Sequence, residues 1–95
     1  MANPTPVHSI TTHEVEDFTT WKKAFDAAAP IRARHGLQVH GVYTAPDNAN
    51  LVTIHGEAPS LEAIRGHFAD PEFHAAMKGA GVKSAPDTKM LHKHA

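Results

Sequence analysis

Apolar or β-branched residues alternate with polar ones over residues 7–15 (Val-His-Ser-Ile-Thr-Thr-His-Glu-Val), which is the period of a half-buried strand. The period then changes. Phe18, Trp21, Phe25, Ala28 and Ile31 recur every three or four residues and predict an amphipathic helix, with Asp17 placed to accept a free amide of its first turn. Pro30 breaks or kinks that helix, and Gly36, just after Arg32, Arg34 and His35, is a natural stop. Residues 37–45 and 51–57 predict two more strands. The tight polar stretch Pro46-Asp47-Asn48-Ala49-Asn50 between them makes an antiparallel hairpin. Ser60 caps a second helix with the face Leu61, Ile64 and Phe68. Asp70-Pro71 starts a fresh helix through Phe73 and Met77, which frays at Gly79 and Gly81. Residues 87–94 predict a fourth strand. Residues 1–6, with two prolines and no period, are expected to form a flexible arm, and residues 7–95 a single domain.

The order is β-α-β-β-α-β, the split βαβ or ferredoxin-like arrangement: an α+β fold with a four-stranded antiparallel sheet and its helices on one face. Ninety-five residues leave no further element for the other face. Two such sheets packed face to face would cover it, so a homodimer, a dimeric α/β barrel, is expected.

Composition narrows the function classes. No apolar run approaches the roughly 18 residues of a membrane span, and the first residues lack a basic and an apolar region, so a cytoplasmic protein is expected. Nine Lys and Arg against ten Asp and Glu form no basic stripe, which argues against nucleic-acid binding. Cysteine is absent, which excludes a disulfide scaffold and a thiol nucleophile. Phosphate-binding glycine loops, a serine elbow and a His-Glu-x-x-His pair are absent too. Histidine is the unusual count, at nine.

Val15-Glu16-Asp17-Phe18, Trp21-Lys22 and Phe25-Asp26 resemble the first strand-to-helix junction of small dimeric α/β-barrel proteins. Asp70-Pro71-Glu72-Phe73, Ala76-Met77-Lys78, Gly81-Val82 and Pro86 resemble their second helical region. The resemblance is to a superfamily that includes antibiotic-biosynthesis monooxygenases, haem-degrading monooxygenases and polyketide-cyclase-like proteins. It implies a ligand cavity rather than one reaction. The Asn, Trp and His set of the haem-degrading branch does not map here, because the only tryptophan, Trp21, lies on the apolar stripe.

The chemistry then falls to strand histidines. If the more apolar side of each strand faces the helices, Leu37, Val39 and Tyr43 point there from the second strand and Val52 and Ile54 from the third. Gln38, His40, Val42 and Thr44, with Leu51, Thr53, His55 and Glu57, are left on the cavity side. Pairing Ala45 with Asn50 sets His40 opposite His55, with Cβ atoms about 5 Å apart. With Ile10 and Leu91 facing the helices, His13 and His92 join them, beside Met90.

Three readings of His13, His40, His55 and His92 stand open. They are solvated or hydrogen-bonded sheet residues. They hold a divalent transition metal, with Glu57 or Glu14 as a carboxylate ligand. Or His40, His55 or His13 acts as acid–base group on a small apolar or aromatic substrate. The resemblance favours the third, as a cofactor-independent oxygenase or cyclase with its pocket between sheet and helices; the alternative is a non-catalytic metal- or ligand-binding protein. His35 reads as a helix-end cation, His67 and His74 as solvated residues, and Trp21 and Phe25 as core.

Overall fold

The element boundaries have local causes. In the computed structural model, which describes residues 6–95, β1 (Val7–Glu14) passes into α1 (Phe18–Ala27) at Asp17, whose carboxylate accepts the Thr20 amide at 2.9 Å. Helix α1 stops at Ala28. Pro30 sits in the first turn of a separate short helix, α2 (Ala29–Arg34), where its missing amide costs no hydrogen bond. Gly36, with φ +74°, turns the chain into β2 (Gln38–Ala45) through a backbone region that favours glycine. β3 (Asn48–Ala58) returns after only Pro46 and Asp47. Ser60 caps α3 (Leu61–Ala69) through the Ala63 amide, and Asp70 caps α4 (Pro71–Lys78) through the Glu72 amide. β4 (Asp87–Leu91) ends three residues earlier than the sequence suggests.

The strands form one antiparallel sheet in the order β2-β3-β1-β4. The ferredoxin-like order read from the sequence is the observed one, with each of its two helices split into a pair. Trp21 is completely buried and lies on Phe25, ring centroids 4.9 Å apart, with Val15, Val52 and Ala80 around them. A second cluster joins Val7, Ala58 and Ile64 at the other end of the sheet. Among the described residues no helix is long and apolar enough to cross a membrane. The expected arm over residues 1–6 lies outside the described residues apart from Pro6.

Register decides which side chains share a face, and it corrects three expectations. On β3 the expected faces hold: Val52 is buried toward the helices, and His55 and Glu57 are on the open side. On β1 they are reversed. Val7, Ser9, Thr11 and His13 are buried beneath the helices, while His8 and Ile10 face outward with Glu57 and His55 as their β3 partners. A bulge in β2 takes up His40 between the pairs Val39–Gly56 and Gly41–His55. Beyond it the parity flips, so Val42 packs on the core and Tyr43 lies on the open face with its ring over Gly41. On β4, Leu91 lies opposite His8 and Met90 opposite Ser9, the reverse of the expected faces.

Candidate functional site

The sheet carries histidines on both faces, and the two groups differ in chemistry. Beneath the helices, His13 is 5% exposed and meets Trp21 edge to face, ring centroids 5.6 Å apart. Neither ring nitrogen of His13 has a hydrogen-bond partner among the described residues, and neither does the indole Nε1 of Trp21. Burial lowers the His13 pKa, because the charged ring would lose its water. At neutral pH it is an uncharged imidazole with a free lone pair, set in an apolar layer.

The open face holds the second group, drawn from three strands. His8 comes from β1, His40 from the β2 bulge, and His55 and Glu57 from β3. His40 Nε2 donates to Glu57 Oε1 at 2.8 Å, and His8 Nε2 lies 3.7 Å from the same oxygen. His8 Nδ1 and His55 Nε2 are 2.9 Å apart and share one proton as a hydrogen bond. The His40 and His55 rings are 5.0 Å apart, although the register sets Gly41 rather than His40 opposite His55. The hydrogen bond from His40 holds the Glu57 pKa below the usual carboxylate range. Lost solvent, then the neighbouring His40 and His8 rings, hold His55 below the ordinary histidine value. A shallow pocket of about 270 Å³ runs beside this group, lined by His8, Ile10, His55, Leu91, His92 and Lys93.

The four histidines named from the sequence are therefore not one set. His40 and His55 come together. His13 is on the opposite face, under the helices. His92 lies past the end of β4, exposed, its Nδ1 donating to the Pro6 carbonyl at 3.3 Å and its ring at the pocket edge. His8 completes the open-face group and was missed. A signal for it exists: Val7 and Val15 share the parity of His13, so two buried valines outweigh Ile10 and send His8 outward. His67 is also corrected, since it is 4% exposed rather than solvated.

No family sequence model matches the chain, and no curated protein matches it by sequence. Solved structures do match it. A Caulobacter crescentus protein proposed to be an antibiotic biosynthesis monooxygenase superposes with a TM-score of 0.79 at 19% identity, over 97% of this chain and 92% of that one. SnoaB from Streptomyces nogalater, a cofactor-independent oxygenase, gives 0.76 at 17% identity over 95% and 96% of the two chains. A Bordetella bronchiseptica protein proposed to be an antibiotic biosynthesis monooxygenase gives 0.77 at 14% identity over 96% and 99%. The chain has the ferredoxin-like fold of this monooxygenase-like group, as the resemblance in its residues implied. At such identities the likeness is one of fold.

Proposed function

We propose that the protein is a small-molecule enzyme of the cofactor-independent oxygenase or cyclase type, with His13 as its acid–base group between sheet and helices. The observation that carries this reading is the set of three buried, unpartnered polar atoms on His13 and Trp21. Leaving such groups unsatisfied costs about 1–3 kcal/mol each. A water or a polar group of a substrate would complete them.

The surroundings suit an apolar, planar substrate carrying an acidic phenol or methylene, because Val15, Phe25 and Val52 adjoin Trp21. Neutral His13 takes the proton from that group. The indole N–H of Trp21 donates to the oxygen on which negative charge develops. The carbanion then closes on a carbonyl of the same molecule or reacts with dioxygen. In the second case one oxygen atom becomes a new carbonyl, and the other leaves as water with both methylene hydrogens. That a cofactor-independent oxygenase shares this fold supports the class. We also place a second copy of the chain over the open face, where Tyr43 and Leu91 are 55% and 47% exposed.

The test is oxygen uptake over a panel of tricyclic phenols bearing an acidic methylene. His13→Gln is expected to lower kcat at least 100-fold, the scale of a general base, with its near-ultraviolet circular dichroism unchanged. Wild-type turnover by His13→Gln would remove His13 from the mechanism. Consumption of no panel member would remove the oxygenase arm.

A further inference from the structure

The open-face group has a composition that acid–base chemistry under the helices leaves unused. We infer that His8, His40 and Glu57, with His55 behind His8, form a binding site for one divalent first-row transition-metal ion. Two imidazoles and one carboxylate are donors that suit zinc, iron(II), manganese, cobalt or nickel. The three residues offer ligand atoms that all lie within 4.8 Å of one another. Two atoms each bonded at about 2.1 Å to one ion stand roughly 3.0–3.4 Å apart at octahedral or tetrahedral angles. The His40–Glu57 and His8–Glu57 separations, 2.8 and 3.7 Å, bracket that spacing. Both lie within about 0.3 Å of it, a gap that small rotations of the His8 and His40 rings close.

Hydrogen bonding orients the set. When His8 Nδ1 carries the proton shared with His55 Nε2, the lone pair of His8 Nε2 is turned toward the Glu57 carboxylate. A lone pair facing a carboxylate is repulsive, and a cation between them makes it attractive. The His8–His55 bond is then the outer hydrogen bond that metal-bound histidines ordinarily make through their second nitrogen. At His40, the ion takes the place of the proton between Nε2 and Glu57, and the neutral ring carries its one proton on Nδ1 instead. With neutral imidazoles and an ionised Glu57 the site carries one negative charge, which favours a cation. Three strands converge on it, so its geometry is fixed by the sheet rather than by a loop.

The site lies across the sheet from His13, and its existence does not depend on the proposed reaction. The experiment is calorimetric titration of the untagged full-length chain with ZnCl2 at pH 7.5, repeated with NiCl2. One ion per chain, bound at micromolar Kd or tighter, is expected. His40→Asn and Glu57→Gln, close in shape to the originals, are each expected to weaken binding at least 100-fold while melting as cooperatively as wild type. His55→Ala weakens it 10- to 100-fold through the outer bond. His74→Ala, an exposed position on α4, leaves it unchanged. Absence of binding by the wild-type chain, or wild-type affinity in both His40→Asn and Glu57→Gln, would overturn the inference. Neither result bears on turnover by His13.

Discussion

His67 is 4% exposed on α3, against Phe73 at 4.3 Å and Phe68 at 5.2 Å between ring centroids, and neither of its nitrogens has a partner among the described residues. Burial first, then the charges of His35 and Arg32, push its pKa down to about 4; Asp70 opposes them. The sign follows from linkage. A histidine with a folded pKa below its unfolded value of about 6.5 binds protons more readily when unfolded. Its contribution to stability is complete above pH 6.5 and is lost as pH falls toward 4, roughly 3 kcal/mol in all. The melting temperature should therefore drop by roughly 10 °C between pH 7 and 4.5, and His67→Phe should remove most of that drop. A His67→Phe profile parallel to wild type would refute the assignment. The residue was legible after all: it stands three positions after Ile64, on the stripe that buries Ile64 itself.

At the scale of elements, punctuation was readable and faces were not. Asp17, Ser60 and Asp70 mark helix starts because a short polar side chain there satisfies amides that a helix leaves free, and all three do so. Pro30 and Pro71 mark first turns for the same steric reason. Strand faces depend on a parity that one inserted residue reverses. The bulge at His40 carries no sequence signal beyond the neighbouring Gly41, and it alone moves Val42 inward and Tyr43 outward. In β1 nearly every position is polar or β-branched, so the pattern alone does not set Ile10 against Val7 and Val15. Met90 and Leu91 are adjacent on an edge strand and both exposed, so burial gives them no alternation to read. His40 and His55 still come close, though not as direct partners: Ala45 pairs with Asn48 rather than Asn50, an irregularity between Thr44 and Ala45 shifts the register back past the expected one, and the bulge sets Gly41 opposite His55 with His40 beside it.

Over the described residues the molecule is a sheet with one face under four short helices and the other open. Closure of that open face by a second copy predicts sedimentation at twice the chain mass at micromolar concentration, and Leu91→Glu should shift it to the monomer. A wild-type monomer at 50 μM would contradict the pairing. On the covered face His13, its pKa lowered by burial and its ring nitrogens without a partner among the described residues, is the base that the proposed reaction requires. Titration of all nine histidine rings by nuclear magnetic resonance from pH 8 to 3.5 tests it most directly. The account predicts a midpoint for His13 below the ordinary value of about 6.5, and one for His67 near 4. Protonation of the His13 ring at or above pH 6.5 would contradict it, because a ring charged at neutral pH is not the base the proposed reaction requires.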